Sequence, residues 1–149
     1  MASIVEVKPF MLSMNPRPAS GAVGHYAGAG NMVIVRIRTD DGVEGFGEGT
    51  IPHKARAIAG AVEDFAEYLV GQDDSLIERH WQVLYRNVFQ RGGVIQMTAQ
   101  SAIDQALWDI AGKRLDRPVW SLMGGAVRDR ILLYTHPGGY GPEEIVERT

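Results

Sequence analysis

The chain contains no cysteine in its 149 residues. That absence excludes disulfide bonds, thiolate metal sites and cysteine nucleophiles from its chemistry. It also lacks an excess of charge of one sign, because 15 lysines and arginines stand against 18 aspartates and glutamates. The sequence therefore shows neither the basic stripe typical of nucleic-acid binding nor the acidic tail of a solvating arm.

No long apolar run is present either. A helix that crosses a bilayer needs about 20 predominantly apolar residues in succession, and no segment approaches that length. The first residues, MASIVEVKPFMLSM, place no basic cluster ahead of an apolar run, so they do not resemble a signal peptide. We therefore expect a soluble cytoplasmic protein without a membrane or nucleic-acid partner.

The first third of the sequence predicts three β-strands. Ile4–Met14 is rich in β-forming residues, and its internal proline predicts an edge position or a bulge. Val33–Thr39 alternates apolar and charged residues, which is typical of a half-buried strand. Asp40–Gly42 then forms a turn, and Val43–Gly49 returns as the hairpin partner. The proline- and glycine-rich stretch Ser13–Asn31 predicts a long loop, and such loops are often functional.

The middle of the sequence predicts three helices. Apolar residues at helical spacing place the first over Ala57–Leu69, with Gly71 closing it. Ser75–Glu78 has the capping-box pattern, in which the serine and glutamate side chains each bond the other's backbone N–H. The third helix extends over Val94–Arg114 and ends before Pro118. Its apolar residues at helical spacing predict an inner face formed by Ala99, Ile103, Ala106, Leu107 and Ile110.

The end of the sequence predicts the beginning of a second architecture. Arg130–His136 is a mostly apolar run of strand length, and Pro142-Glu143-Glu144 has the composition of a helix start. A nearly continuous apolar strand is typical of a parallel sheet that is covered on both faces. The sequence offers it no parallel partner, so we expect the chain to stop early in a larger βα structure.

Five blocks in a fixed order carry a family resemblance. They are DDGVEGFGEG (Asp40–Gly49), QDDSLIERHWQVLYR (Gln72–Arg86), RGG (Arg91–Gly93), SAIDQALWDIAGKRLDRPVWSLMGG (Ser101–Gly125) and VRDRILLYTH (Val127–His136). In this order they resemble the N-terminal capping domain of the enolase superfamily, in its mandelate racemase/muconate lactonizing branch. Within that branch they are most similar to acid-sugar dehydratases of the galactonate and mannonate type.

The resemblance implies an α+β fold. Residues 1–126 would form the enolase-like capping domain, a three-stranded antiparallel meander followed by helices, and residues 127–149 the truncated start of a (β/α) barrel. It also implies a hydro-lyase of carbohydrate catabolism that removes a proton α to the carboxylate of an acid sugar and then eliminates water. A divalent cation stabilises the charge that this step creates.

The same resemblance places the catalytic groups elsewhere. The Mg²⁺ ligands and the acid and base groups are expected on barrel strands beyond Thr149, so this chain is expected to hold neither catalytic nor metal-binding residues. The fragment alone is then inactive, and the full-length protein is expected to be a homo-oligomer. Two alternatives are a stand-alone binding or dimerisation module that keeps the cap fold, and a regulatory fragment that pairs with a full-length enzyme.

Two pairs of residues are the first candidates for contact with the acid sugar. His136 ends the predicted barrel strand, where barrel enzymes build their active sites, and the mannonate-type Tyr-x-His context implies that Tyr134 and His136 act together. The alternative for His136 is a hydrogen-bonded surface residue at the end of a strand. Thr50 and His53 correspond by resemblance to a short capping loop that touches substrate. The alternative is that both merely start the first helix, with Thr50 as its N-cap.

A third candidate pair lies in the glycine-rich loop. His25 and Tyr26 can hydrogen-bond a polyol, and the alternative is that both are solvated loop residues. Glu48, at the end of GFGEG, either faces the substrate pocket or pairs with local backbone or an arginine. Residues with a predicted structural role are His80, in packing or on a solvated face, and Trp108 and Trp120 as core anchors. Asp104 and Asp109 are predicted to pair with structural partners such as Arg114 or Arg117.

Overall fold

A computed structural model describes residues 2–13, 31–86 and 89–133. Four candidate residues, His25, Tyr26, Tyr134 and His136, lie outside the described residues. The described elements are three strands, β1 (Ile4–Ser13), β2 (Asn31–Thr39) and β3 (Glu44–Glu48), followed by four helices, α1 (Ala55–Leu69), α2 (Ile77–Arg86), α3 (Val94–Leu115) and α4 (Val119–Leu122).

The three strands form an antiparallel meander in the order β1-β2-β3, as predicted. The edge position predicted for the first strand is confirmed, since among the described residues β1 pairs with β2 alone in this sheet. Its register shifts between Ile4 and Glu6, whereas Pro9 lies in register opposite Val35. The irregularity therefore precedes the proline by several residues. Gly42 has a φ of +86°, which allows the tight turn between β2 and β3.

The core lies between one face of the sheet and helices α1 and α3. Alternate residues of β2, namely Val33, Val35 and Ile37, are fully buried, which confirms the predicted period of two. The buried residues of α3 include all five predicted for its inner face, Ala99, Ile103, Ala106, Leu107 and Ile110. Burying each large apolar side chain contributes about 1.5–3 kcal/mol relative to leaving it exposed.

Glycines of the GFGEG segment allow β3 to lie directly against α3. A Cβ atom at Gly45 would lie 2.1 Å from the Ala106 carbonyl oxygen, and one at Gly47 would lie 2.0 Å from the Ala102 carbonyl oxygen. No side chain fits at these distances, because both obstacles are helix backbone. The alternating glycines therefore allow β3 to dock against the backbone of α3. This docking places the C-terminal end of β3 beside the first turns of α3.

The C-terminal ends of helices α1 and α3 follow the predictions. Helix α1 ends at Leu69, and Gly71 follows with a φ of +87°, as its predicted closing role requires. Helix α3 ends at Leu115, because Asp116 adopts the left-handed conformation with a φ of 50° and Pro118 follows. Both stops occur within a few residues of their predicted positions.

The predicted capping box of the second helix is wrong. Helix α2 begins at Ile77, and Ser75 instead donates from its N–H and its hydroxyl to Asp73 Oδ1 at 2.9 and 2.8 Å. The Glu78 carboxylate accepts a hydrogen bond from the Gln82 side chain one turn later. A nearby carboxylate thus replaces the reciprocal serine–glutamate pair.

Two expectations about the C-terminal part are corrected. Trp120 is not a core anchor, since it lies on the four-residue helix α4 and is 57% exposed, whereas Trp108 is half-buried. The described part of the predicted strand, residues 130–133, is irregular, and Ile131, Leu132 and Leu133 are almost fully exposed. A strand needs a partner to satisfy its backbone, and the described residues place none beside this segment.

Candidate functional site

A cleft of about 390 Å³ lies between the end of β3 and the first turns of α3. The residues that line it are Glu48, Gly49, Thr50, Val94, Met97, Thr98 and Ser101. It combines one carboxylate and three hydroxyl groups with two apolar side chains. Of the candidate residues, the structure brings Glu48 and Thr50 to this cleft, at the end of β3 and at the start of the loop that leads to α1.

Thr50 does not cap helix α1, so that alternative is wrong. Its Oγ1 accepts the N–H of Val33 at 3.1 Å, and the helix starts at Ala55 with Lys54 as N-cap and no side-chain cap bond. The hydroxyl therefore ties the loop to the sheet. His53, the other candidate in this loop, is exposed and has a φ of 63° in the turn before α1. It does not line the cleft.

Gln105 fixes one wall of the cleft. Its side-chain oxygen accepts the backbone N–H of Glu48 at 3.1 Å, and its Nε2 donates to the Glu48 carbonyl oxygen at 3.1 Å. The same nitrogen lies 3.3 Å from the Ser101 hydroxyl oxygen, to which it donates. One amide thus holds the end of β3 and a hydroxyl of α3 at a fixed separation. The prediction from sequence missed this residue.

Two further side chains of α3 continue this contact along β3. Asp109 Oδ2 accepts the backbone N–H of Phe46 at 2.9 Å, and Lys113 Nζ donates to the Glu44 carbonyl oxygen at 2.7 Å. Lys113 also pairs with Asp109 at 2.7 Å. Asp109 therefore pairs with Lys113 rather than with the predicted arginines. Gln105, Asp109 and Lys113 lie four residues apart on one helix face. This spacing of polar residues is the sequence signal that could have predicted the contact with β3.

Arg114 binds two other carboxylates and lies outside the cleft. Its Nε donates to Asp74 Oδ2 at 2.8 Å, and its two terminal nitrogens donate to the Asp41 carboxylate at 2.6 and 3.1 Å. The hydrogen bond from Arg114 and a second one from Thr39 hold the pKa of Asp41 well below its usual range. The hydrogen bond with Asp41 raises the pKa of Arg114. The arginine thus joins α3 to the β2–β3 turn and to the segment before α2.

His80 and Asp104 are the remaining polar residues for which the sequence predicted a structural role. His80 is fully buried, with Nε2 2.7 Å from the Asp73 carbonyl oxygen and Nδ1 3.1 Å from the Tyr68 hydroxyl. Because a carbonyl only accepts, Nε2 carries the hydrogen and Nδ1 accepts from the tyrosine. Its predicted packing role is confirmed. Asp104 is partly buried, and this burial, followed by the charge of Glu78, raises the pKa of its carboxyl.

The described residues do not provide a metal site. Within residues 2–13, 31–86 and 89–133, no group of three or more histidine, cysteine, aspartate or glutamate side chains is placed to hold a metal ion. A magnesium ion therefore does not fit the donor set of this part of the chain. Among the same residues, no helix is long and apolar enough to cross a membrane.

Comparisons with known proteins agree with this geometry. Residues 4–124 match the family described as mandelate racemase / muconate lactonizing enzyme, N-terminal domain. A D-galactonate dehydratase from Cronobacter sakazakii is 52% identical over 114 residues, which are 76% of this chain and 30% of that protein.

Solved structures show the same fold. An enolase from Pantoea ananatis with bound D-gluconate and magnesium superposes with a TM-score of 0.81 at 33% identity, covering 99% of this chain and 33% of its own. A candidate dehydratase from Mesorhizobium loti gives a TM-score of 0.83 at 36% identity, covering 98% of this chain and 38% of its own. The chain thus spans about a third of the length of the relatives that it matches.

Proposed function

The chain belongs to the mandelate racemase/muconate lactonizing enzyme family, and from that membership we propose that it is the substrate-capping part of an acid-sugar dehydratase. The observation that carries the proposal is the 52% identity to a D-galactonate dehydratase over 76% of the chain. The reaction is removal of a proton α to the carboxylate, followed by loss of water. D-galactonate is the first substrate to test, and D-gluconate the second because it is bound in a structural relative.

Within this proposal the chain orients the substrate and excludes water. Residues 1–126 form the cap, and residues 127–149 begin the barrel that supplies the chemistry. Magnesium dependence is supported by the relative that contains both D-gluconate and magnesium. Since the described residues offer no cluster of ligands for it, the proposal places the ion outside them, and the acid and base groups on the barrel.

The proposed substrate contacts are the six residues named from the sequence. Thr50 lines the cleft and His53 lies in the same loop. Tyr134, His136, His25 and Tyr26 lie outside the described residues and stay predictions. Closure of such loops over a substrate strengthens electrostatic interactions and limits side reactions with water. We also propose that the complete protein forms a homo-oligomer.

The test is expression of the complete reading frame that contains this chain. The product is incubated with Mg²⁺ and D-galactonate, D-gluconate or D-mannonate, and the 2-keto-3-deoxy acid formed by dehydration is measured. We expect turnover of at least one acid sugar, and its loss on chelation of the metal. Failure on all acid sugars would overturn the dehydratase proposal.

The isolated 149-residue chain is the matched control. We expect it to show no turnover under the same conditions, and clear dehydration by this chain alone would contradict the capping role. A reading frame that stops after Thr149, with no barrel-coding partner, would instead favour the stand-alone binding or dimerisation module.

A further inference from the structure

We propose that Asp41–Gly42, in the turn between β2 and β3, is a site of backbone isomerisation to isoaspartate whose rate is set by the side chains of Arg114 and Thr39. It is the one aspartate–glycine pair in the sequence, which contains no asparagine–glycine pair. Such a pair is reactive because glycine has no side chain to shield the backbone nitrogen that follows the aspartate. Both residues are exposed, so water reaches the bond between them.

The reaction needs only these two residues and water. The backbone nitrogen of Gly42 attacks Cγ of the Asp41 carboxyl group, so that a nitrogen–carbon bond forms and a carbon–oxygen bond breaks. The oxygen leaves as water, with one proton from the carboxyl group and one from the nitrogen. Water then opens the cyclic imide. Cleavage at Cγ restores aspartate, whereas cleavage at the backbone carbonyl carbon gives isoaspartate, whose main chain is longer by one carbon atom.

Side chains from two other positions hold the carboxylate that would be attacked. Arg114 donates to both of its oxygens, at 2.6 and 3.1 Å, and the Thr39 hydroxyl donates to Oδ1 at 2.6 Å. Arg114 and then Thr39 favour the ionised form and hold the pKa of Asp41 well below its usual range. The ionised carboxylate is the less reactive form, because its oxygen needs a proton to leave as water. The side chain must therefore leave these donors before it reacts.

The attacking nitrogen is held in the same turn. The Gly42 N–H donates to the Thr39 carbonyl oxygen at 3.0 Å, so the hydrogen that must leave is already bonded. Arg114 is itself fixed, because its Nε donates to the Asp74 carboxylate at 2.8 Å and the Asp74 side chain is 2% exposed. The turn and the arginine must therefore separate before the nitrogen attacks. Isomerisation makes this separation lasting, since the free carboxylate of isoaspartate is attached directly to Cα and leaves the place that Arg114 binds.

The experiment stores the complete reading-frame product at neutral pH and follows the tryptic peptide Thr39–Lys54, which contains the turn. Electron-transfer fragmentation of this peptide gives fragment masses that are specific to isoaspartate and locates it in the sequence. The wild type unfolded in guanidinium chloride gives the rate without any tertiary contact. We expect isoaspartate at Asp41 to form slowly in the folded wild type and much faster in the unfolded chain. The measurement needs no substrate, so its outcome is independent of the function proposed above.

Two variants test the control by the neighbouring side chains. Thr39→Val removes the hydroxyl and keeps the branched shape of a buried side chain. Arg114→Lys keeps one positive charge for Asp74 and replaces the planar group that binds both carboxylates. Since a hydrogen bond to a charged group changes an equilibrium about tenfold, we expect each folded variant to form isoaspartate at Asp41 about tenfold faster than the folded wild type. Circular dichroism checks folding, and Thr39→Val decides alone if Arg114→Lys does not fold.

The matched control is Arg36→Lys, because Arg36 pairs with Glu6 and Glu44 on the sheet. This variant should keep the wild-type rate, and Asp40, in the same peptide but followed by aspartate, should change little in every sample. Equal rates in the folded variants and the folded wild type would overturn the control by Arg114 and Thr39. Equal rates in the folded and unfolded wild type, or no isoaspartate at Asp41 in the unfolded chain, would overturn the assignment of the site.

Discussion

At the scale of single residues, Arg114 joins two carboxylates that differ sharply in exposure. The Asp74 side chain is 2% exposed and also accepts the Ala2 N–H at 3.2 Å, whereas the Asp41 side chain is 44% exposed. A buried charge without a partner is strongly destabilising, while an exposed ion pair contributes about 0–1 kcal/mol. Asp74 therefore holds the arginine in place. The contact with Asp41 is exposed to solvent, so protonation of the Asp41 carboxylate can weaken it.

Asp41 gives a prediction for the pH dependence of stability. Its pKa is lowered from the usual 3.8 by hydrogen bonds from Arg114 and then Thr39. Because the folded state lowers this pKa, the stabilisation is complete above the unfolded value and is lost as the pH falls through the folded value. We expect the midpoint temperature of unfolding of the wild type, measured by circular dichroism, to decrease as the pH is lowered from 5 to about 2. In Asp41→Asn this decrease should be smaller.

The control for this profile is Asp64→Asn, because Asp64 is exposed on α1. This variant should follow the wild-type curve throughout. Glu6 and Asp73 also have lowered pKa values, through hydrogen bonds from Arg36 and from the Ser75 N–H respectively, so some acid dependence remains in every variant. Parallel curves for Asp41→Asn and the wild type would contradict the assignment.

At the scale of elements, strand β3 and helix α3 form one unit. The glycines of the strand allow close approach, and the side chains of Gln105, Asp109 and Lys113 bond the backbone of the strand along its length. An unpaired strand edge is a site for unwanted pairing with other chains. The helix side chains occupy this edge and also hold the end of the strand where the cleft begins.

Gly47 gives a prediction about this unit. Gly47→Ala would place a Cβ atom 2.0 Å from the Ala102 carbonyl oxygen, so strand and helix must separate. Because overpacking typically costs ~1–3 kcal/mol and here meets rigid backbone, we expect a loss of about 3 kcal/mol in the free energy of unfolding, measured with urea. Gly60→Ala is the control, because nothing lies within 4 Å of that position in α1 and alanine should stabilise the helix by ~0.5–1 kcal/mol. Equal effects of the two substitutions would contradict the docking role.

The elements themselves were predictable because their signals are local. The alternation around Val35 and the helical spacing around Ile103 depend only on neighbours in sequence, and both predictions are confirmed. The partners of single polar groups were not predictable in this way. Thr50 bonds strand β2 instead of capping a helix, and Ser75 bonds Asp73 instead of Glu78. These outcomes depend on which side chains tertiary folding brings within reach.

At the scale of the whole molecule, exposed large apolar side chains are concentrated in the described segment that follows helix α3. Helices α1 and α3 cover one face of the sheet and bury nearly all of their inner residues. After α3, six large apolar side chains are exposed instead, and they are Trp120, Met123, Val127, Ile131, Leu132 and Leu133. Monomeric proteins rarely expose apolar surface in such concentration. This part of the surface is therefore the expected origin of association by the isolated 149-residue chain.

The prediction is that the isolated chain self-associates through residues 127–133. Leu132 is 95% exposed and Ile131 77% exposed, so contact between copies would remove apolar surface from water at about 25 cal/mol per Å². We expect light scattering to give an apparent mass that rises with concentration, and the triple variant Ile131→Ser, Leu132→Lys, Leu133→Ser to remain monomeric. Phe89→Ser is the control, since that side chain is equally exposed but lies between α2 and α3. A wild-type chain that stays monomeric at all concentrations, or association unchanged in the triple variant, would contradict the prediction.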